Sequence, residues 1–335
     1  MPVCSANAKD ELRDHARVAQ KKTRLFCAMP LHANLPYRKI CGPWLAAYKR
    51  APLEQTFNAM GTDVYGHDWD KLFSYLSSPK TQGGPRGNVL AMACDFSRFD
   101  TSHSAWKILK CFEVIGASGC DDPRLPALAH GFVRYLVRYD DKAFRVPRGL
   151  PSGGQMTTPI NCLLNTLFWL TVWRKRTGLG LRQFIDHVNL VVYGDDVVLT
   201  MRADDPLRNQ LTPEAIQAIA SQLGYEVGSA DDQPMRWQPL SEVTFLKRHF
   251  AHSPGDPVCR APRPLEDVWT QLLWCRRTPD LESARSSLQM FALEIAQFPE
   301  STRNLCYSKL QRLIRLSPPL YQNAFALSSF SQLRA

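Results

Sequence analysis

The sequence predicts an α+β fold, and three stretches predict it. An apolar run from Val89 to Ala93 ends in Cys94-Asp95 and reads as a buried strand. Residues 188–201 (VNLVVYGDDVVLTM) read as two strands joined by a tight turn, a β-hairpin with Gly-Asp at its tip. From about residue 265 the pattern turns helical, with Leu281, Ala284, Leu288, Phe291, Ile295 and Phe298 recurring at helical spacing. Strands through the middle and helices at the end make the α+β class.

In chain order, residues 1–30 are basic and polar before turning apolar, and Pro30, Pro36 and Pro43 are expected to break the next stretch into short pieces. Residues 78–88 (SPKTQGGPRGN) are a loop by their Gly and Pro content. After the strand, residues 102–117 carry Trp106, Leu109, Phe112 and Val114 in a helical pattern. A second glycine-rich loop, residues 147–155, precedes a helix for which Thr158 is the expected N-cap and Pro159 the first helical residue. The apolar stretch from Leu163 to Trp173 is interrupted by Asn165 and Thr166 and reads as a buried helix, not a membrane span. Residues 213–223 form a helix closed by Gly224, and residues 243–250 (VTFLKRHF) alternate like a strand.

At 335 residues and 44% hydrophobic content, the chain is long enough for two or three subdomains around one cleft. Its net charge is +10, and residues 1–50 hold ten Lys or Arg against three Asp or Glu. That surplus suggests a polyanion partner, nucleic acid first, although composition alone supports a plain basic surface as well. Ten cysteines without a CxxC pair fit reduced thiols in a cytosolic compartment. His249, His252 and Cys259 lie near enough in sequence for zinc, but a satisfied strand or loop is the better reading. No signal peptide, membrane-length apolar stretch or internal repeat is present in the sequence.

Three clusters point to chemistry. Tyr193-Gly194-Asp195-Asp196 puts two adjacent carboxylates at a hairpin tip, which is costly unless a cation sits between them. Asp95 ends a buried strand, with Asp100 five residues on; Asp100 also suits a helix N-cap region, whereas Asp95 does not. Between them, Ser152-Gly153-Gly154 forms a loop free to approach a sugar-phosphate backbone. Thr157, Asn161 and Asn165 then share one helix face, Asn165 best suited to a core amide.

The order DFSRFD, SGGQMTTPIN, YGDD and FLKR resembles the palm motifs A, B, C and E of picornavirus-like RNA-dependent RNA polymerases of positive-strand RNA viruses. KDELRDHARVAQKKTRL resembles their basic finger motif F, so the resemblance spans residues 9–250. It implies a right-hand polymerase with an antiparallel-sheet palm (an RRM-like core), partial fingers and a small helical thumb. The implied divisions are 1–88 for the partial fingers, 89–261 for the palm with a finger insertion at 115–150, and 262–335 for the thumb.

The resemblance also implies roles. Asp95 and Asp195, assisted by Asp196, would hold two Mg²⁺ ions, for which Mn²⁺ can substitute. Arg17, Lys22 and Arg24 would meet the incoming triphosphate. Asp100, Ser152 and Asn161 would read the ribose 2′-hydroxyl, with Gly153 and Thr157 in the same nucleotide site. Tyr193, Gly194, Lys247 and Arg248 would lie at the primer or RNA; the two cations also suit plain strand-edge charges.

The implied activity is template-directed RNA synthesis from ribonucleoside triphosphates during viral genome replication and transcription. The implied partners are an RNA template and primer, a protein primer and other viral replication proteins, at membrane-associated complexes in the host cytoplasm. A short thumb goes with primer-dependent initiation.

Two departures stand out. Where the family's motif D commonly carries a proton-donating Lys, this chain has Asp231, Asp232 and Gln233, with Arg236 nearby. A guanidinium does not readily release a proton, so the general acid is left open. The chain also starts almost at motif F, as a fragment or part of a polyprotein would. The rival readings are a reverse transcriptase, disfavoured by polar Asp100 and Asn161, and a catalytically silent RNA-binding module.

Overall fold

The computed structural model describes residues 1–9, 19, 24–78, 88–231, 233–252, 256–272 and 281–316. Strands β1 (Val3–Ala8) and β2 (Leu25–Ala28) open the chain, followed by helix α1 (Leu31–Arg50). The expected proline breaks are corrected here: Pro36 and Pro43 both lie inside α1. Each removes a backbone hydrogen bond, at about 3 kcal/mol in a helix interior. Burial of Tyr37, Cys41, Trp44, Leu45 and Tyr48 along one side offsets that cost. Short α2 (Leu53–Thr56) leads to α3 (His67–Leu76), whose Trp69, Leu72 and Leu76 are buried at helical spacing.

Strand β3 (Val89–Phe96) comes next, then α4 (Phe99–Ser102) and α5 (Ala105–Ala117). The helix expected at 102–117 is therefore interrupted at His103, and Ser104 caps α5 by accepting from the Lys107 amide. After α6 (Leu125–Val133), strands β4 (Leu136–Tyr139) and β5 (Lys142–Arg145) form a hairpin. β4 pairs parallel with β1, giving a sheet of order β2-β1-β4-β5, so residues 3–8 and 136–145 belong to one layer.

Helix α7 (Thr157–Thr177) begins one residue before the expected cap: Met156 is the N-cap and Pro159 lies inside the first turn. Helix α8 (Leu181–His187), strands β6 (Asn189–Tyr193) and β7 (Asp196–Arg202), helix α9 (Pro213–Gln222) and strands β8 (Val227–Ser229) and β9 (Gln238–Pro239) complete the middle of the chain. The central sheet is antiparallel, in the order β6-β7-β3-β8, with β9 also pairing along β3. Both its faces are covered. Met92, Cys94 and Phe96 of β3 pack into one core with Ile160 and Phe168. Ala91 and Ala93 pack into another with Trp69, Leu72 and Phe250. That is why β3 reads as an unbroken apolar run and not an alternating one.

The strand expected at 243–250 is instead a tight hairpin, β10 (Thr244–Phe245) against β11 (Arg248–His249). Leu246 and Lys247 form its turn, with φ of +52° and +60°. Helices α10 (Leu265–Leu272), α11 (Leu281–Ile295) and α12 (Glu300–Leu316) come last, with their own apolar cluster of Val268, Leu288, Phe291, Ile295, Cys306, Leu310 and Ile314.

A buried ion pair joins this helical unit to the hairpin. Arg248 and Glu294 side chains are only 8% and 6% exposed, with Nη2 2.7 Å from Oε1 and Nη1 2.9 Å from Oε2. Arg248 Nη1 also donates to the Ala261 carbonyl at 2.8 Å, and the Tyr65 hydroxyl donates to Glu294 Oε1 at 2.6 Å. Breaking a buried pair from one side leaves an uncompensated charge, at roughly 3–5 kcal/mol. Arg248→Ala should therefore lower the unfolding free energy measured in urea by an amount in that range, and pairing Arg248→Met with Glu294→Leu should recover most of it.

Candidate active site

The central sheet decides where the acidic residues meet. β3 and β7 pair through Cys94↔Val197, and one step further along that register Asp95 falls opposite Asp196. β6 and β7 close at Tyr193↔Asp196, leaving Gly194-Asp195 as a two-residue turn. Gly194 has φ of +65°, a conformation only glycine adopts at low cost, at the first central position where hairpin turns ask for it. Asp95, Asp195 and Asp196 thus gather at one end of one sheet, where opposed Cβ atoms lie about 4.5–5.5 Å apart.

Electrostatics follows from that crowding. Burial pushes all three carboxyls above the ordinary carboxylate range. Asp196 is pushed furthest, to about 7, by burial and then by the charges of Asp195 and Asp95. The charges of Asp95 and Asp100 add to the burial of Asp195. Two cations oppose the rise: Arg24 acts on Asp95 and Asp195, and Lys247 on Asp196. Among the described residues no three His, Cys, Asp or Glu side chains form a ready metal cage. Three crowded carboxyls, Asp195 and Asp196 partly buried and Asp95 open to solvent, are nevertheless a donor set that a divalent cation fits, since it relieves their repulsion.

Helix α7 braces this end of the sheet with a polar stripe. Asn165 is fully buried, and its Nδ2 donates to the Gly194 and Asp195 carbonyls at 3.0 and 3.2 Å. Cys162 Sγ accepts from the Gly194 amide at 3.1 Å. One turn earlier, Asn161 Nδ2 donates to Asp100 Oδ1 at 2.5 Å. Sequence reasoning left Asn165 as a core amide and did not single out Cys162; both hold the acidic turn.

The loop before α7 is pinned. Ser152 is exposed, whereas the Gly153 amide donates to the Cys27 carbonyl of β2 at 2.8 Å. A Cβ on Gly153 would sit 2.8 Å from that carbonyl oxygen, so the glycine is required by approach to β2. Asn34 clamps the same loop, its Nδ2 donating to the Gly153 carbonyl at 3.1 Å and its Oδ1 accepting from the Gln155 amide at 2.9 Å. Asn34 carried no signal in the sequence.

Two of the expected contacts are corrected. Thr157 is buried and its hydroxyl donates to the Pro151 carbonyl at 2.6 Å, so it ties the loop and does not face a nucleotide. Arg248 is committed to Glu294 and cannot serve a primer phosphate. Lys247, Arg24, Tyr193 and Gly194 lie at or beside the acidic end, and Asp100 lies one hydrogen bond from α7. Arg17, Lys22 and Asp232 lie outside the described residues. At the motif D position, Asp231 pairs with Arg236 at 3.0 Å and accepts from the Ser229 hydroxyl at 2.5 Å.

The family model for viral RNA-dependent RNA polymerases matches residues 1–314. The chain belongs to that family. It is 28% identical to the replicase polyprotein of Drosophila C virus, over 93% of the chain and 20% of that relative. It is 27% identical to the replicase polyprotein of Acute bee paralysis virus, over 87% of the chain and 16% of the relative. With the genome polyprotein of Human hepatitis A virus (isolate HAS-15) the identity is 28%, over 85% and 13%. The chain thus spans a fifth or less of these relatives. The solved Sicinivirus 3Dpol RNA dependent RNA polymerase superposes with a TM-score of 0.79 at 20% identity, covering 99% of this chain and 66% of that one. That likeness establishes the right-hand polymerase fold, and the reverse-transcriptase alternative is not favoured.

Because the folded Asp196 pKa of about 7 lies above its unfolded value of 3.8, the native state holds an extra proton between them. Its contribution to stability is full below about pH 4 and is lost as pH rises through 7. In metal-free buffer, Asp196→Asn should match the wild type near pH 4 and exceed it by roughly 2 kcal/mol at pH 8, after discounting for partial exposure. Urea unfolding across that range checks the sign, and added Mg²⁺ should shrink the gap.

Proposed function

We propose that this polymerase copies an RNA template by adding nucleotides from ribonucleoside triphosphates to an RNA 3′ end. The observation that carries this reading is the β3–β7 register, which sets Asp95 opposite Asp196 and beside the Gly194-Asp195 turn. Asp95 and Asp195, with Asp196 assisting, would hold the divalent ions, Mg²⁺ or Mn²⁺. When bound, those ions would activate the 3′-hydroxyl and neutralise charge on the leaving pyrophosphate.

The chain's own groups supply the rest. Arg24 flanks Asp95 and Asp195 on the side of β2, where a triphosphate would need a fixed guanidinium. Lys247 flanks Asp196 from the β10–β11 turn, a suitable place to meet the RNA backbone. Asp100 and Asn161, hydrogen-bonded to each other, offer polar groups to a ribose 2′-hydroxyl. A site built to bond a hydroxyl rejects the sugar without one, because its buried polar atoms are left unpaired.

On this reading residues 1–88 contribute to the fingers, 89–261 to the palm with a finger insertion at 115–150, and 262–335 to the thumb. The polymerase would act on viral RNA with a primer, a protein primer included, beside other replication proteins at membrane-associated complexes in the host cytoplasm. Among the described residues no helix is long and apolar enough to cross a membrane.

Primer extension with purified protein, Mg²⁺ and the four ribonucleotides tests the reading. Asp195→Asn should keep RNA affinity within about twofold and lower incorporation by at least about a thousandfold, as loss of several kcal/mol of charge stabilisation requires. Retained incorporation by that variant would overturn the metal assignment, and absence of incorporation by the unaltered protein would leave a catalytically silent RNA-binding role.

A further inference from the structure

We propose that His103 is a positioning residue for ribose selection, holding the Asn161 amide in the one orientation that bonds Asp100 and tying that pair to Tyr225. This rests on the reading that Asp100 and Asn161 face the ribose. His103 sits in the break between α4 and α5 and is 0% exposed. Its Nε2 lies 3.0 Å from Asn161 Oδ1, and its Nδ1 lies 3.2 Å from the Tyr225 hydroxyl. A histidine buried this deeply at the hinge of the ribose-facing segment needs partners on both nitrogens, and it has them.

The direction of every proton in this chain of bonds is set by its end. A carboxylate oxygen only accepts, so Asn161 must turn its NH₂ toward Asp100. The opposite flip would press two oxygens together. Asn161 Oδ1 therefore faces His103, and His103 must donate from Nε2. Its Nδ1 is then bare and accepts from the Tyr225 hydroxyl. One tautomer and one amide flip satisfy all four residues, with donors pointing successively toward Asp100. Burial holds the His103 pKa down near 4, so the ring is neutral, with one donor and one acceptor as the chain of bonds needs.

The far end is anchored. Gly224 has φ of +76° and donates to the Ser221 carbonyl at 3.0 Å, while the Tyr225 amide donates to Ala220 at 2.8 Å. This Schellman closure of α9 sets where Tyr225 points. The Lys107 ammonium lies 3.9 Å from the centre of the Tyr225 ring and donates to the Leu223 carbonyl at 2.7 Å. Phe99 packs edge-on against His103 at 4.4 Å. The relay thus connects the nucleotide-facing pair to the start of the motif D strand, β8, through side chains that have little room to rearrange.

The test is the ratio of kcat/KM for a ribonucleotide over its deoxy analogue, in primer extension with the full chain. His103→Leu fills the space but cannot donate, and should lower the ratio about tenfold, chiefly by raising KM for the ribonucleotide. His103→Gln, whose amide can donate where Nε2 did, should restore most of it, which a purely packing role would not produce. Tyr225→Phe keeps the ring and removes only the hydroxyl; it should lower the ratio by a few fold, and it carries the test if the Leu variant does not fold. A folded His103→Leu or Tyr225→Phe protein with an unchanged ratio, or a Gln variant no better than Leu, overturns the relay. Asp100→Ala separates the two layers: if it too leaves the ratio unchanged, the ribose reading itself fails. If it abolishes selection while the His103 variants do not, only the relay fails.

Discussion

The register of β3 against β7 places like charges side by side at the open end of an otherwise apolar sheet. Nothing in sheet formation favours that arrangement, because opposed carboxylates repel and partial burial deprives Asp196 of water. The repulsion is tolerated because it comes at the strand ends, after six residue pairs from Val89↔Arg202 to Cys94↔Val197, the last four of them buried on both strands. The sheet stabilises the fold and its last residues are left to carry charge. A one-residue slip would swap the faces of β3 and separate Asp95 from Asp196. The two cores thereby protect the acidic end.

Helix α7 makes the other half of the arrangement. Most of its residues are buried, yet Thr157, Asn161 and Asn165 recur at every fourth position. Each polar group bonds a different piece of the site: the Pro151 carbonyl, the Asp100 carboxylate and the carbonyls of the Gly194-Asp195 turn. A buried amide without partners costs about 1–3 kcal/mol, so such a stripe persists only where the facing segments are held in place. The helix therefore acts as a ruler, setting the loop, the ribose-facing segment and the acidic turn at successive turns of one rigid element.

Much of this was legible in the residues. The hairpin tip, its positive-φ glycine, the strand ending in Asp95 and the shared face of α7 all arise from patterns of period two or four and from turn chemistry. What was not legible came from long-range packing. Pro36 and Pro43 read as breaks because local propensity opposes a helix there, and only the buried face of α1 overrides it. VTFLKRHF alternates as a strand would, but Leu246 and Lys247 turn the chain back, which no β-branched or glycine signal announced. Asn34 and His103 act through partners more than 50 residues away in sequence, and no local spacing encodes such a contact. Arg248 looked like a phosphate ligand because its partner, Glu294, lies in another structural unit.

That misplaced arginine explains its neighbour. Two consecutive non-glycine residues at positive φ are costly, of order 1–3 kcal/mol each, and persist only when the surroundings over-determine them. On one side of the turn, Phe245 is buried against Trp69. On the other, Arg248 is locked to Glu294, Tyr65 and the Ala261 carbonyl. Fixed at both ends, the turn has little choice but to project Lys247, and its charge is felt at Asp196. Arg248 thus serves the acidic site without touching it, by committing its own charge to Glu294 so that the adjacent lysine keeps its direction. The same pair docks the C-terminal helices, so the position of the cation and the seating of the helical unit are set by one buried interaction.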